Sequence, residues 1–276
     1  MKKHPDNLRS RAHAGFSLVD VMVGMVIALL GVIIMFQVFS ASEDVKRRTT
    51  SGGDALQNGA SALFVIDRSL KQAGYGIFAS TNLAPYPADP TTILPVLITP
   101  GTPTTSDTIV ITSRQGWDFG PFPPDPTAYA SAVPPALTME TLFVNASGQL
   151  VSRTTYDNPV YKHTVPPAVP DVVVSDGIVL MKAEYGMDTN GDGVADKWDQ
   201  TTLNPPNVKA VRLVVVTRSV QPEKPVGGVC NTTNAAPTWS GGVALDLSAD
   251  LGLSGTDNWK CYRYKTFENT VPLRNQ

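Results

Sequence analysis

The longest apolar run of the chain lies near its N-terminus. From Phe16 to Phe39 the sequence FSLVDVMVGMVIALLGVIIMFQVF carries Asp20 as its only charged residue. Roughly 24 residues in a helix extend about 36 Å, enough to cross the hydrocarbon core of a bilayer. The pattern therefore predicts a transmembrane helix over 16–39. A secretory signal would have a shorter apolar core before a small-residue cleavage site, and Ser40-Ala41-Ser42 keeps that alternative open.

A helical pattern continues over 40–76 as an amphipathic segment. Its apolar stripe follows a seven-residue spacing and comprises Leu56, Ala60, Leu63, Phe64, Leu70 and Ala73. We expect this stripe to pack on a globular domain. The segment Thr49–Gly53 consists of poor helix formers, so it is either a bend or a glycine pair tolerated within a long helix.

The pattern changes over 77–276 to short β-rich runs separated by proline and glycine clusters. The predicted strands are Ile93–Thr99, Thr108–Thr112, Thr138–Asn145, Leu150–Arg153, Gly177–Tyr185, Val208–Val220 and Cys261–Thr270. We interpret the proline-dense segment Pro121–Pro135 as an ordered surface loop. A long helix followed by an antiparallel sheet predicts the α+β class, with the amphipathic stripe packed on one face of the sheet.

Charge and histidine content narrow the range of functions. The formal net charge is −2, and four basic residues lie before residue 16, so no basic surface for nucleic acid is expected. His4 and His13 also lie in that segment, which leaves His163 as the only histidine after it. No nucleophile elbow, phosphate loop or zinc motif is present. The sequence therefore predicts a protein that is not an enzyme.

Two cysteines, Cys230 and Cys261, are the only ones in the chain. Neither has a nearby cysteine or histidine to complete a metal site. We expect a disulfide between them if the domain lies in an oxidising compartment. The alternative is a pair of buried free thiols.

An acidic segment over 188–199 matches the twelve-residue calcium loop. Oxygen-bearing side chains occupy positions 1, 3, 5, 9 and 12, glycine occupies position 6, and a backbone carbonyl serves at position 7. The predicted Ca²⁺ ligands are Asp188, Asn190, Asp192, Val194, Asp196 and Asp199. Asp199 stands where glutamate is usual, which favours weak affinity. The alternative is a turn whose side chains cap their own backbone.

Asp20 is a carboxylate within an apolar helix. Such a group is expensive in hydrocarbon and is usually retained where a cation pairs with it. If the chain is cut between Gly15 and Phe16, the new α-amino group of Phe16 supplies that cation, either within the same subunit or from a neighbour.

The start of the apolar run resembles the class III signal of type IV pilins and type II secretion pseudopilins. The residues that carry the resemblance are Gly15-Phe16-Ser17-Leu18-Val19-Asp20, followed by Val21-Met22-Val23-Gly24. It implies that residues 1–15 are a leader, that a prepilin peptidase cuts after Gly15 and methylates Phe16, and that Asp20 pairs with a neighbouring N-terminus. The family has a glutamate at this last position, one methylene longer than Asp20.

Later segments are similar to the PilW group of minor pilins. They are Phe64–Gly76, Tyr185–Asp188, Val208–Leu213, Tyr262–Glu268 and Val271–Asn275. The resemblance implies a minor pilin that helps to prime pilus assembly with other minor pilins and the major pilin. It also implies an inner-membrane protein whose domain lies in the periplasm and, after assembly, at the pilus tip. A type II secretion pseudopilin and a tip adhesin remain alternatives.

Overall fold

A computed structural model describes residues 17–75, 94–113, 137–157, 170–201, 207–223, 225, 227–248 and 258–275. The predicted leader, the bond between Gly15 and Phe16, His163 and the proline-dense loop over 121–135 lie outside the described residues. The chain divides into two compact units, Met1–Thr49 and Thr50–Gln276. The boundary falls at the start of the segment that the sequence marks as a possible bend.

Helix α1 spans Leu18–Gln72 and contributes to both units. Its first turn is capped by Ser17, whose Oγ accepts the Val19 N–H at 3.3 Å. The backbone stays helical through Thr49–Gly53.

The second unit contains nine strands among its described residues. They are β1 Val96–Thr99, β2 Thr108–Ser113, β3 Leu137–Val144, β4 Leu150–Asp157, β5 Val172–Ser175, β6 Ile178–Met187, β7 Lys197–Asp199, β8 Val208–Arg218 and β9 Tyr264–Pro272. A short 3₁₀ helix over Asn258–Cys261 precedes β9. The first sheet has the order β1-β2-β3-β4-β5 and the second the order β7-β6-β8-β9. All pairs are antiparallel, which confirms the predicted α+β class.

The sequence pattern identified seven of these strands and missed two. Strand β5 has only four residues, Val172–Ser175, and β7 has only three, Lys197–Asp199. Strand β7 is shorter than the alternation that marks a strand in a sequence, and β5 is a run of three valines without alternation. The prediction of a single sheet was wrong, because the strands divide into two sheets that share one core.

The core forms where the last part of α1 meets both sheets. Its members are apolar residues of α1 and of strands from each sheet: Ala62, Ile66, Leu70, Ala73, Val96, Ile98, Ile109, Ile111, Leu142, Leu150, Ile178, Met181, Ala183, Tyr185, Val208, Val211, Leu213, Val215, Val271 and Leu273. Long strands of the second sheet supply many of them, which explains the nearly continuous burial of β6 and β8.

The buried stripe of α1 differs from the predicted one. Leu56 is 49% exposed and Phe64 is 66% exposed, whereas Ala55, Ala62 and Ile66 are buried. Small residues at Ala55, Gly59 and Ala62 allow the helix backbone to approach the strands closely, and the larger Ile66 fills the core beside them. The rest of the predicted stripe is divided, since Leu70 and Ala73 are buried, Leu63 is partly buried against the core and Ala60 is exposed.

Hydrogen bonds and one close ring contact fix this close approach. Thr217 Oγ1 donates to the Ala55 carbonyl at 3.0 Å, and Ser175 Oγ donates to the Asn58 carbonyl at 2.9 Å. The Phe267 ring lies against Gly59, where any added Cβ would overlap the ring. Both sheets therefore hold the helix through its backbone as well as through its apolar side chains.

A buried ion pair joins the two sheets. Lys182 of β6 and Asp107, just before β2, are both fully buried, and Lys182 Nζ lies 2.8 Å from Asp107 Oδ1. Lys182 Nζ also donates to the Thr102 carbonyl at 2.7 Å. The carboxylate accepts N–H groups from Gly101 and Ala183, each at 2.8 Å. Every charge is thus both paired and hydrogen-bonded, as a buried pair requires.

Tyr185 of β6 makes a second link between the sheets. Its hydroxyl accepts the Ile98 N–H at 2.5 Å and donates to the Val96 carbonyl at 3.4 Å. Burial raises the pKa of this hydroxyl, although the Ile98 N–H opposes the shift. Strand β1 is the edge of the first sheet, so the tyrosine occupies backbone groups that would otherwise be open to pairing.

Replacement of Lys182 with methionine should destabilise the protein strongly. Lys182→Met leaves the Asp107 carboxylate buried without a cation, which costs about 3–5 kcal/mol. The measurement is the free energy of unfolding of the full chain in detergent. The control is Lys71→Met, which removes a surface pair with Asp67 and should cost no more than about 1 kcal/mol.

A second substitution separates charge from packing. Adding Asp107→Asn to Lys182→Met removes the unpaired charge, so part of the lost stability should return. Equal losses for Lys71→Met and Lys182→Met would contradict the assigned role of the buried pair.

Candidate functional site: anchor helix, acidic loop and disulfide

The first part of α1 presents an apolar surface without a protein partner in the described chain. The segment Leu18–Glu43 has the length and composition to cross a membrane, and none of it is buried. Its 26 residues extend about 39 Å as a helix. A continuous exposed apolar surface of this size indicates contact with lipid or with other apolar helices.

Asp20 lies in the first turn of this helix. Its backbone N–H donates to the Ser17 carbonyl at 3.0 Å, and its side chain is exposed. An acidic group here also faces the positive end of the helix dipole. The predicted partner, the amino group of Phe16, lies outside the described residues, so the pairing stays a prediction.

The acidic loop connects β6 and β7. Asp188 follows the last residue of β6, and its two carboxylate oxygens accept the N–H groups of Gly191 at 2.6 Å and Gly193 at 2.8 Å. Both glycines have positive φ, 82° and 86°, a conformation that other residues rarely adopt. The loop thus folds around the Asp188 carboxylate, and Gly193 occupies position 6 of the predicted calcium loop.

Two further ligand candidates cap the same loop. Asn190 Oδ1 accepts the Asp192 N–H at 3.0 Å, and Asp192 Oδ1 accepts the Val194 N–H at 2.8 Å. Asn190 Nδ2 also donates to Asp192 Oδ2 at 3.1 Å. These are the self-capping contacts that the sequence left as the alternative to a metal site.

The last two candidates face other partners. Asp196 accepts hydrogen bonds from Thr189 through both oxygens, at 2.9 and 3.0 Å. Asp199 lies in β7 and accepts the Thr201 N–H at 3.2 Å. Among the described residues, no three acidic, histidine or cysteine side chains are placed to hold a metal ion. The donors are nevertheless oxygen atoms of the type that Ca²⁺ prefers.

The carboxylate of Asp188 is stabilised in its charged form. Burial alone would raise its pKa, but the backbone N–H groups of Gly193, Gly191 and Asp192 act in the opposite direction and lower the pKa below its ordinary value. A negative charge is therefore kept at the base of the loop. The pKa of Asp199 is also lowered, chiefly by the Thr201 N–H.

Trp198 connects the acidic loop to the outer face of the second sheet. Its ring packs on Gly186, and the Arg212 guanidinium lies 4.6 Å from the ring centroid. Arg212 is paired with Glu184 at 2.5 Å and lies 5.8 Å from the Trp239 ring. The sequence did not point to this cluster, although paired glutamate and arginine on neighbouring strands are a usable signal.

A disulfide between Cys230 and Cys261 is present, which confirms that prediction. It joins the segment 227–248 to the 3₁₀ helix before β9. Backbone bonds reinforce this junction, since the Thr232 and Thr233 N–H groups donate to the Lys260 carbonyl at 3.0 and 3.1 Å. Two cysteines 31 residues apart thus close a loop at the edge of the second sheet.

The segment that the disulfide holds covers a second, smaller core. This core lies on the outer face of the second sheet and comprises Val179, Leu180, Val214, Val216, Leu245 and Leu247, with Trp239, Trp259 and Tyr264 packed against it. The Trp239 indole N–H donates to the Val243 carbonyl at 2.6 Å. The disulfide therefore keeps an irregular segment on a face that would otherwise be exposed.

The architecture of the chain is pilin-like. A long N-terminal apolar helix that continues into a domain of antiparallel sheets is the pilin-like architecture predicted from the sequence. The family model described as Type IV Pilus-assembly protein W, or PilW, matches residues 149–275. The resemblance to PilW-type minor pilins is thereby confirmed. The matched part of the chain is similar to type IV pilus-assembly proteins, which are structural components of the pilus.

Among solved structures, the chain is similar to a type IV-like pilin, TTHA1219 from Thermus thermophilus, with 16% identity and a TM-score of 0.43. That similarity covers 80% of this chain and 97% of that chain. No curated protein matches the chain.

Loss of the disulfide should weaken the domain without abolishing the fold. In the chain-entropy model, a closed loop of this size contributes about 3–4 kcal/mol. The double substitution Cys230→Ser and Cys261→Ser should lower the free energy of unfolding by that amount, measured on the full chain in detergent. A reducing agent should produce the same loss in the wild type and none in the variant. An unchanged unfolding midpoint after reduction would contradict the assigned role.

Proposed function

We propose that this protein is a minor type IV pilin that helps to prime assembly of the pilus and is then incorporated into it. The observation that carries the proposal is the exposed apolar helix Leu18–Glu43 at the start of a chain whose residues 149–275 match the PilW model. The helix supplies an anchor before assembly and an apolar surface for neighbouring helices afterwards.

Processing by a prepilin peptidase between Gly15 and Phe16 starts this sequence of events. The cut removes the basic leader and creates an α-amino group at Phe16. That cation can pair with the Asp20 carboxylate of a neighbouring subunit, which offsets the cost of placing the carboxylate in an apolar environment. The inner-membrane assembly machinery, other minor pilins and the major pilin are the proposed partners.

The placement of α1 in the core suits an assembly role. Residues of α1 from Ala55 to Leu70 contribute to the core of the domain, and Thr217, Ser175 and Asn269 also bind this part of the helix. A load applied to the domain is therefore transmitted to the helix through many contacts. We propose a single-pass protein with its domain in the periplasm, which becomes part of the pilus tip.

Two alternatives differ from this function in their deletion phenotypes. A pseudopilin of the type II secretion system would be needed for secretion and not for piliation. A tip adhesin would be needed for attachment and not for piliation. Deletion of a priming minor pilin should remove surface pili.

Complementation of the deletion strain tests the function and the role of Asp20 together. Wild type and Asp20→Glu should restore surface pili, because both retain the carboxylate. Asp20→Lys should be cleaved normally and yet fail to restore them, because a second cation would replace the acceptor of the ion pair. The measurements are pilus counts by electron microscopy and the mass of the N-terminal peptide.

Two outcomes would contradict the proposal. Normal piliation in the deletion strain would exclude a priming role. A purified chain that begins at Met1 or near Ala41, instead of at methylated Phe16, would remove the pilin processing pathway. The control Asp54→Lys, at an exposed helical position outside the apolar segment, should leave piliation unchanged.

We also propose that the loop over 188–199 binds Ca²⁺ as a structural ion. The support is the match to the twelve-residue calcium pattern and the charged state of Asp188, whose pKa is lowered. Binding would require the carboxylates of Asp192 and Asp196 to exchange their present hydrogen bonds for the ion. The ion would then hold the connection between β6 and β7.

Calorimetric titration of the full chain tests the calcium proposal. Uptake should occur in the range of about 10⁻⁴–10⁻³ M typical of extracellular modules, with a change in the fluorescence of Trp198, which lies in the loop. Asp188→Asn and Asp192→Asn should each weaken uptake, whereas Asp54→Asn should not. No heat of binding at millimolar Ca²⁺ would remove the proposal.

A further inference from the structure

A groove lies between the last turns of α1 and the first sheet. Its volume is about 590 Å³, and its helical wall includes Phe64, Arg68 and Gln72. Its floor is formed by β2, β3 and β4, including Thr138, Glu140 and Thr154. This helix–sheet groove falls within the range of about 300–1,000 Å³ seen for small-ligand pockets.

The floor of the groove is polar where a core would be apolar. Ile109 on β2 faces Leu142 on β3, and both are fully buried in the core. Two residues further along the same sheet face, Ile111 faces Glu140, and after two more Ser113 faces Thr138. The face that buries the core thus changes to hydroxyl and carboxylate groups beneath the helix. Packing alone does not call for that change.

Thr138 gives an independent indication of a ligand. The residue is 7% exposed, and its Oγ1 has no hydrogen-bond partner in the described structure. A buried hydroxyl without a partner costs stability, and such groups are uncommon in folded proteins. Because Thr138 lines the groove, a ligand in the groove can supply the missing partner.

The groove offers the chemistry of a site for a neutral polar molecule. Arg68 and Glu140 contribute one positive and one negative side chain, so neither charge dominates. Ser152 Oγ donates to Glu140 Oε1 at 2.7 Å and orients that carboxylate. The Phe64 ring, 66% exposed, offers an apolar platform at the rim. Hydroxyl, carboxylate and guanidinium groups beside an exposed ring suit a molecule with many hydroxyls and an apolar face.

A peptide fits this groove less well. Strand β3, which carries Thr138 and Glu140, is paired with β2 on one side and with β4 on the other, so this part of the floor has no free edge for strand addition. Recognition must therefore use side chains. We propose that the helix–sheet groove binds a neutral oligosaccharide, with Thr138 as a hydrogen-bonding residue and Phe64 as the stacking platform. This binding role goes beyond assembly and does not depend on it.

The test uses the full chain in a detergent without a sugar headgroup. The probes are chitotriose and maltotriose, with tetraglycine as the peptide comparison, and binding is measured by saturation-transfer NMR and by titration. The wild type should bind at least one trisaccharide, with saturation transfer strongest at the sugar C–H face. Thr138→Val and Phe64→Ala should each weaken that binding about fivefold or more, as expected for loss of a buried hydrogen bond or a ring contact.

Matched controls keep the test decisive. Leu56→Ala changes an exposed apolar residue of the same helix, and Thr155→Val changes a residue on the opposite face of β4, so both should bind as the wild type does. Thr138→Val should fold with unchanged or higher stability, because it removes an unpaired hydroxyl. Absence of trisaccharide binding by the wild type would overturn the proposal, also where Thr138→Val is more stable than the wild type. Binding of tetraglycine alone, or binding that the groove variants leave unchanged, would also overturn it.

Discussion

The ammonium group of Lys182 and the carboxylate of Asp107 lie 2.8 Å apart with no exposure to solvent. Burial of two charges costs several kcal/mol for each ion, and only good geometry with further hydrogen bonds repays it. Here Thr102, Gly101 and Ala183 supply those bonds. A shift of the first sheet against the second would break this set, so the pair restricts how the two sheets can be combined.

The position of the helix follows from that restriction. Once the sheets are joined, the element that packs against both of them must have small side chains on one face. Helix α1 provides such a face through Ala55, Gly59 and Ala62. Bonds to helical carbonyls, such as that from Thr217, become possible only because these residues are small. The larger Leu56 and Phe64 are left outside. Packing distance, and not hydrophobicity alone, thus selects which face of the helix is buried.

Sequence reasoning succeeded where a pattern was long and failed where the structure depends on distant partners. The apolar run and seven strands were predictable because hydrophobic periodicity is a local property of the sequence. The disulfide was predictable because two cysteines allow only one pairing. The choice between Leu56 and Ala55 could not be made without knowing that two sheets approach the helix. Lys182 within an apolar strand does indicate a buried partner, but nothing in the sequence selects Asp107.

The candidate site likewise combines features that were predictable from the sequence with features that depend on distant partners. The glycine at 193 was expected from the calcium pattern, and its positive φ angle fits it. The present hydrogen bonds of Asp196 and Asp199 were not foreseeable, because Thr189 and Thr201 compete for the same oxygens. The polar floor of the helix–sheet groove was also invisible, since Thr138 and Ser113 alternate like any strand residues. Only the pairing of β2 with β3 places them beneath the helix.

The two parts of this chain require different environments. The apolar segment of α1 has no buried residue and is satisfied only by lipid or by other helices, whereas the domain buries its own core around Ile66 and Leu70. A subunit that leaves a membrane for a filament exchanges one apolar surrounding for another, so the transfer changes the hydrophobic free energy of the segment little. The charge at Asp20 is different, because a carboxylate in an apolar environment is costly unless a cation pairs with it. The free energy of moving such a helix between two apolar environments therefore depends more on how its acidic residue is paired than on the apolar residues that follow it.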